Sequence, residues 1–280
     1  MPRKALEPGA PLAREELDSN LCYIATKKGG DVDKAFAEAE HIVRLRIASP
    51  RLVALAMEPR GIVAKPEPTG DLTVWLSTQS PHRVRTDLAT AIGFPEHQDS
   101  RHRARCRRQV RQQRAPLRRK TRWPVIWRLS SAGPSSGSPR AARIFVTTNQ
   151  GRDQVMTSEL ALKRDGTMLG LKVRVIGNLG AYLNSLSAIP PLRMMAMAPG
   201  CYQIQNCSVE VVAVFTNTVP TGPYRGAGRP ESVLNIERLD RQSGARFGHG
   251  LSGNPAQEFY SPRAVPVPHG RKRRIRLGRL

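Results

Sequence analysis

The sequence predicts an α+β fold in which mixed sheets with hairpins pack against helices. The clearest evidence is a hairpin, because the apolar runs Val155–Lys163 and Met168–Ile176 flank an Arg-Asp-Gly turn. A second apolar run, Val209–Val214, leads through a loop rich in glycine, proline and arginine into the helix-like run Glu231–Leu239. Strands that pair locally and strands that lead into helices together indicate the mixed class.

The first part of the chain predicts one helix and one strand. Residues 1–30 are polar and interrupted by proline and glycine, which favours irregular structure. Asp31–Glu40 is predicted to be a short helix with Asp31 as its N-cap. From Val43 to Ile47, apolar side chains alternate with arginines, which is the period of a half-buried strand.

A second hairpin and a helix follow. Gly61–Lys65 and Leu72–Leu76 are predicted to pair across the turn PEPTGD. The next helix is expected to begin at Pro81, with Ser80 as its N-cap, and to end at Gly93. Its buried stripe is predicted to consist of Val84, Leu88 and Ile92.

The last ordered region should contain a short helix, a strand and a longer helix. Residues 185–200 are apolar and rich in methionine, which fits a buried short helix or a cofactor wall. Val209–Val214 is predicted to be a strand buried on both faces. The helix Glu231–Leu239 is expected to bury Val233, Leu234, Ile236 and Leu239.

The formal net charge of +23 comes almost entirely from two segments. Residues 101–143 contain 13 Arg, one Lys and no acidic residue, and residues 241–280 contain nine Lys or Arg and one Glu. Both segments lack apolar periodicity and are expected to be disordered. The chain therefore divides into an irregular segment at 1–30, a folded domain formed by 31–100 and 144–240, and these two basic segments.

Composition argues against several classes of protein. No apolar run reaches the roughly 18 residues that a membrane span needs, and the N-terminus lacks the apolar core of a signal peptide. A cytoplasmic protein with no membrane partner is therefore expected. The four cysteines show no C-x-x-C spacing, which predicts free thiols rather than disulfides or a metal site.

The loop TVPTGPYRGAGRPES is the strongest candidate site. Gly226, Ala227 and Gly228 leave backbone amides with little side-chain cover, and a predicted helix N-terminus follows them. This combination suits an anion. Arg225, at the tip, would add a fixed planar cation. A plain strand-to-helix turn with arginines facing solvent fits the same residues.

The stretch PYRGAGRPE resembles the active-site loop of the molybdenum hydroxylases, the family of xanthine dehydrogenases, aldehyde oxidases and carbon monoxide dehydrogenase-like large subunits. Four further stretches resemble the same family in the same order: DVDKAFAEAEHIVRLRI, MEPRGIVA, LSTQSPHRVRTDLATAIGFP and IFVTTNQGRDQ. Ordered matches over most of residues 30–100 and 144–240 are far more specific than one short motif.

The resemblance implies a molybdopterin-binding domain, with molybdopterin in the cytosine dinucleotide form that is usual in bacteria. It implies a catalytic role for Arg225 and cofactor contacts from Gln79, Gly226, Ala227 and Gly228. It also implies two partners, an FAD-binding medium subunit and a small subunit with a 2Fe–2S cluster. Gly226 stands where copper-dependent carbon monoxide dehydrogenases have a copper-binding cysteine. The expected substrate is therefore an aldehyde, an N-heterocycle or a similar small molecule.

The resemblance stops inside both basic segments. The family's GGGFG loop should fall within residues 101–115, where it is absent. A shifted reading frame explains this, because synonymous codons for residues 107–113, read one base later, can encode Gly-Gly-Arg-Phe-Gly-Asn. Residues 134–138, read two bases later, can encode the family phrase Val-Lys-Trp-Val. Residues 242–260, read one base later, can encode a run that ends GMDLAEIRRRNFI.

These observations predict a fragment of a molybdopterin-dependent oxidoreductase large subunit. The fragment is expected to be inactive alone, since the family's catalytic glutamate and upstream domain are missing from it. Two alternatives stay open. One is a basic protein that binds nucleic acid through its phosphates, although the basic segments interleave no aromatic residues beyond Trp123 and Trp127. The other is the product of a non-functional pseudogene.

Overall fold

A computed structural model describes residues 2–54, 62–66, 72–76, 81–92, 135–137, 148–184 and 186–247, together with residues 78, 80 and 145. Its strands are β1 Leu21–Gly29, β2 His41–Leu52, β3 Ile62–Pro66, β4 Leu72–Leu76, β5 Ser135–Gly137, β6 Gly151–Leu162, β7 Met168–Gly180 and β8 Asn206–Phe215. Its helices are a 3₁₀ helix Pro2–Leu6, α1 Val32–Ala37, α2 Pro81–Ile92, α3 Ile189–Met197 and α4 Arg229–Phe247.

The larger sheet has the strand order β1-β8-β7-β6-β2. β6 and β7 form the predicted antiparallel hairpin. β7 and β8 are parallel, so the chain must cross over between them, and α3 lies on this connection. β1 and β2 pair antiparallel with β8 and β6. One parallel pair among antiparallel pairs makes the sheet mixed, which confirms the predicted class.

The main core lies between this sheet and the helices α3 and α4. The helices contribute Met194 and Ala198 from the α3 region, and Ile236 and Leu239 from α4. Each fully buried side chain of this size stabilises the fold by about 1.5–3 kcal/mol. The strands contribute Val43, Met156, Leu160, Leu162, Met168, Leu171, Val173, Val175, Val209 and Val211. The methionine-rich stretch is therefore a short helix that packs Met194 into the core, as predicted.

The smaller sheet has the order β4-β3-β5. β3 and β4 form the predicted hairpin, and Leu88 of α2 packs on their apolar side chains. β5 pairs antiparallel with β3. The prediction of disorder at 101–143 is therefore wrong for Ser135–Gly137, which gain ladder hydrogen bonds from a neighbouring strand. The remainder of that segment lies outside the described residues.

Two N-terminal predictions need correction. Residues 1–30 are not irregular throughout, because they contain the 3₁₀ helix and β1. β1 is half-buried, with Tyr23 and Ala25 against the core and Lys27 exposed, and its hydrogen bonds come from distant β8. Tertiary pairing of this kind overrides local propensity. The predicted helix at 31–40 is shorter, but its N-cap is confirmed, since Asp31 accepts a hydrogen bond from the Lys34 amide at 3.0 Å.

Helix α4 is longer than predicted, and it extends into the segment 241–280 that was expected to be disordered. That expectation is wrong for residues 241–247. The helix also has a different orientation, because Val233 and Leu234 are 50% and 42% exposed while Ser232 and Asn235 are buried. Asn235 accepts a 2.8 Å hydrogen bond from Ser158 of β6, which holds this polar face against the sheet. Residues 248–280 lie outside the described residues.

Two further findings concern the described part of the chain alone. No helix there has the length and hydropathy of a membrane span. The same residues include no cluster of three or more His, Cys, Asp or Glu side chains that could hold a metal ion, and Cys22, Cys201 and Cys207 are free thiols.

Candidate functional site

The candidate loop runs from the end of β8 to the start of α4, beside the segment that leads into β6. Gln150 and Thr221 form a parallel bridge between the two segments. The Gln150 amide donates to Pro220 O at 3.1 Å, and the Gly222 amide donates to Gln150 O at 2.8 Å. The loop is therefore attached along its first part to the residues just before β6.

Three consecutive residues of the loop are left-handed. The φ angles of Gly226, Ala227 and Gly228 are 93°, 49° and 94°. The Ala227 amide donates to Tyr224 O at 2.7 Å, and the Arg229 amide donates to Gly226 O at 3.3 Å. A left-handed residue other than glycine costs about 1–3 kcal/mol, so surrounding contacts must hold Ala227 in this conformation.

The structure gives the two glycines a packing role. A Cβ atom on Gly226 would lie 2.5 Å from Cγ of Pro230. A Cβ atom on Gly228 would overlap the Pro190 carbonyl oxygen and lie 2.8 Å from the Met194 amide. Glycine at 228 therefore lets the loop approach α3 closely, which is a reason for this residue independent of any cofactor.

The geometry of the loop also fits an anion. The loop ends at the N-terminus of a 19-residue helix, where partial positive charge accumulates. Among the described residues, no acceptor pairs with the amide of Gly226 or Gly228. Arg225 is exposed beside them. A group bearing phosphate oxygens would find unpaired donors and a positive charge here.

Beneath the loop, Arg152 makes a set of buried contacts. Its Nη1 atom lies 3.2 Å from both carboxylate oxygens of Glu231, and its Nη2 atom donates to Arg225 O at 3.0 Å. The guanidinium also lies over the Tyr224 ring, 5.0 Å from its centroid. The side chains of Arg152 and Glu231 are 11% and 1% exposed, so this ion pair is shielded from solvent.

Asp153 makes a second set of contacts on the other side. It accepts 2.8 Å hydrogen bonds from Arg51 and from Asn178. Arg51 in turn donates to Thr218 Oγ1 at 2.7 Å and to the carbonyl of Val219, both at the start of the loop. This network is partly buried and connects β2, β6 and β7 to the loop.

Arg152 and Asp153 have φ angles of 67° and 60°. Two consecutive left-handed residues other than glycine store about 1–3 kcal/mol of strain each, and such strain clusters at functional sites. Sequence reasoning did not single out these residues, although they lie in the family-like stretch IFVTTNQGRDQ. Buried ion pairs between distant segments have no local sequence signal, so only the structure identifies them.

The structure brings together four of the five predicted site residues. Arg225 is exposed at the tip, Gly226 is half-buried, and Ala227 and Gly228 are buried beside it. Gln79 lies outside the described residues. Its predicted cofactor contact therefore stays a prediction, as do the predicted roles of the loop residues.

The described chain is thus a mixed sheet covered by two helices, with a loop at a helix N-terminus whose geometry fits an anion. The family model described as "Molybdopterin cofactor-binding domain" matches residues 13–102 and 140–245. The chain belongs to this family, as a molybdopterin-binding domain of large subunits of the xanthine oxidase type. Its cofactor class is a molybdenum pterin.

The chain has curated relatives with 30% identity. One is the 6-hydroxypseudooxynicotine dehydrogenase complex subunit gamma of Paenarthrobacter nicotinovorans, matched over 79% of this chain and 28% of that protein. Another is the carbon monoxide dehydrogenase large chain of Hydrogenophaga pseudoflava, matched over 85% of this chain and 32% of that protein. The chain therefore spans about three tenths of the length of these relatives.

The fold matches solved structures of the same family. Quinoline 2-oxidoreductase from Pseudomonas putida 86 superposes with a TM-score of 0.82 at 25% identity, over 95% of this chain and 34% of that chain. This match confirms the predicted likeness to molybdenum hydroxylase large-subunit domains.

Proposed function

We propose that this chain is part of the large subunit of a molybdenum hydroxylase that oxidises an N-heterocycle, an aldehyde or a similar small molecule. The observation that carries the proposal is the left-handed loop Gly226–Gly228 at the N-terminus of α4, with Arg225 exposed beside it, in a member of the molybdopterin-binding family. An N-heterocycle is favoured, since similar proteins are named for quinoline and for a nicotine derivative. Glycine at 226 offers no thiolate that could bind copper, which disfavours carbon monoxide as the substrate.

Each loop residue has a proposed role. Gly226, Ala227 and Gly228 let the loop approach the anionic cofactor closely, the unpaired amides of Gly226 and Gly228 act as donors to it, and Gln79 hydrogen-bonds near its reactive centre. Arg225 orients the substrate or stabilises negative charge that develops on it, because a planar cation on a held loop needs little reorganisation. When bound, the molybdenum pterin supplies the redox chemistry. We further propose the cytosine dinucleotide form, with FAD-binding and 2Fe–2S subunits as partners in the cytoplasm.

We also propose that the isolated chain is inactive and that its reading frame is disrupted. The family match breaks between residues 102 and 140 and stops at residue 245. These limits lie close to the ends of the two basic segments. A nucleic-acid-binding function finds no support in the fold or in the family, so the basic segments need no ligand to explain them.

Metal analysis of the purified chain tests whether it is active alone. Without the GGGFG loop, the cofactor site lacks contacts that the family resemblance implies. We therefore expect far less than one molybdenum atom per chain. A stoichiometric amount would contradict the proposal of inactivity and would support a complete site.

Resequencing tests the disrupted frame, across codons 95–145 and from codon 238 onward. If the new sequence lacks the inserted bases or restores the missing ones, the product is a longer subunit. Gln79 and Arg225 would then be the active-site residues to mutate. If the sequence stands, the chain is the remnant of such an enzyme, and its basic segments are products of the shifted frame.

A further inference from the structure

We propose that the Arg152–Asp153 dipeptide positions the Arg225 loop by holding both ends of it against the start of β6. The inference deepens the proposed function and rests on it, because it concerns the loop that would present Arg225 to the substrate. Arg152 and Asp153 are positioning residues in this proposal, since they act through the loop rather than on a substrate.

Arg152 holds the second half of the loop. It binds the backbone carbonyl of Arg225, the ring of Tyr224 and the carboxylate of Glu231 in the first turn of α4. Among the described residues, the Arg225 side chain has no ion-pair partner. The position of its guanidinium therefore depends on its backbone, and Arg152 donates directly to that backbone.

Asp153 holds the first half of the loop through Arg51. Its carboxylate orients the Arg51 guanidinium, which then donates to Thr218 and Val219. The second contact of Asp153, with Asn178, extends the network to β7, and Asn178 accepts a 2.7 Å hydrogen bond from Thr216. The chain between β8 and the loop is thus connected to the same carboxylate.

The neighbouring residues that contact the two ends of the loop have an unusual backbone conformation. Side chains of consecutive residues in extended structure point to opposite faces. Both residues are left-handed here, at φ 67° and 60°, which changes the direction of each side chain at the start of β6. Gly151 permits the close approach, because a Cβ atom there would lie 2.5 Å from Cβ of Tyr224.

Hydrogen exchange on the full 280-residue chain, read by mass spectrometry, tests this role. In Arg152→Met, we expect the hydrogen-bonded amides of Ala227 and Arg229 to exchange at least tenfold faster than in the wild type. In Asp153→Asn, the faster exchange should appear at residues 216–222. The strands β7 and β8 should keep their protection in both variants.

A matched control removes an ion pair elsewhere on the same sheet. Arg174 and Glu210 form a 2.9 Å ion pair between β7 and β8, with the Arg174 side chain 63% exposed and the Glu210 side chain 38% exposed. Arg174→Met should leave loop exchange unchanged. Arg152→Lys keeps the positive charge but cannot contact Arg225 O, the Tyr224 ring and Glu231 at once. Its loop amides should therefore exchange at a rate intermediate between those of the wild type and Arg152→Met.

Two results would overturn the inference. One is wild-type exchange of the loop in Arg152→Met, and the other is equally faster exchange in the loop and in β7 and β8, which a general structural role would produce. If Arg152→Met does not fold, Arg152→Lys decides between the same outcomes. Loop exchange can be compared among variants of the cofactor-free chain, so the metal analysis can fail while the positioning role stands, and the positioning role can fail while the result of the metal analysis stands.

Discussion

At the scale of single residues, positive φ and close packing act together at Gly228. Its φ of 94° disfavours any side chain, and a Cβ atom would overlap the backbone of α3 at Pro190. Because backbone atoms cannot move aside as a flexible side chain can, the substitution affects both the loop and the helix. Residues of this kind fix the geometry that the loop presents to a ligand.

Gly228→Ala should therefore lower the free energy of unfolding by about 2–5 kcal/mol, the sum of left-handed strain and overpacking. Urea denaturation measures it. Gly9→Ala is the matched control, since Gly9 has φ 79° but no atom within 4 Å of the added Cβ. It should show only the backbone cost, about 1–2 kcal/mol. Equal losses in both variants would remove the packing argument.

The buried pair of Arg152 and Glu231 predicts a large stability effect. Glu231→Gln leaves a shielded guanidinium without a charged partner, so the free energy of unfolding should fall by about 3 kcal/mol. Glu159→Gln serves as a control, because its partner Arg44 is 67% exposed and such surface pairs contribute about 1 kcal/mol or less. Comparable losses in thermal or urea unfolding would show that burial of the first pair is unimportant.

Burial should also separate the reactivity of two cysteines. Burial raises the pKa of Cys207 from 9.0 to about 11, so at pH 8 only about one thiol in a thousand is ionised. Cys201 is exposed. Iodoacetamide at pH 8 should therefore label Cys201 well before Cys207, as peptide mapping can measure. Faster labelling of Cys207 would contradict the buried position of β8.

At the scale of elements, sequence patterns correctly predicted the elements that are stabilised by contacts between residues close in the chain. The β6–β7 hairpin, the β3–β4 hairpin and the N-cap of α1 follow from turn chemistry and short-range periodicity. β1 was missed although it begins with the apolar residues Leu21–Ala25, because the hydrogen bonds that make it a strand come from distant β8. The predicted inward face of α4 was confirmed for Ile236 and Leu239 but wrong for Val233 and Leu234, since the sequence does not reveal that Asn235 is buried by its hydrogen bond with Ser158 of β6.

The orientation of α4 gives a direct test. Ile236 is 1% exposed, so Ile236→Ala should lower the free energy of unfolding by about 2–5 kcal/mol. Val233 is 50% exposed, and Val233→Ala should change the free energy of unfolding by about 0.5 kcal/mol or less. Chemical denaturation of both variants measures the difference. A larger loss at Val233 would mean that the helix presents the opposite face.

At the scale of the whole molecule, the larger sheet is built from the two family-matched segments alone. Its strands come from residues 21–52 and 151–215, while the smaller sheet includes β5, which lies between the matched segments. The frame disruption proposed between residues 102 and 140 would therefore leave every strand of the larger sheet intact. The candidate loop, which follows β8, is preserved for the same reason.

The charge of the whole chain predicts salt-sensitive but unselective binding to polyanions. With a net charge of +23, the chain should bind heparin and DNA at low salt and lose affinity steeply as salt rises, because counterion release drives such binding. Competition between duplexes of different sequence measures selectivity, and we expect none. A strong preference for one sequence would revive the nucleic-acid-binding alternative.

The pairing of β1 with β8 has a consequence for synthesis on the ribosome. Leu21 lies opposite Val214 in this pair, so more than half of the 280-residue chain separates the two partners. Translation adds about 5–20 residues per second, and contacts between distant residues form late and slowly. β1 therefore emerges many seconds before its partner exists and must avoid pairing with other chains while it waits. We expect the nascent chain to depend on chaperones until residue 215 has left the ribosome.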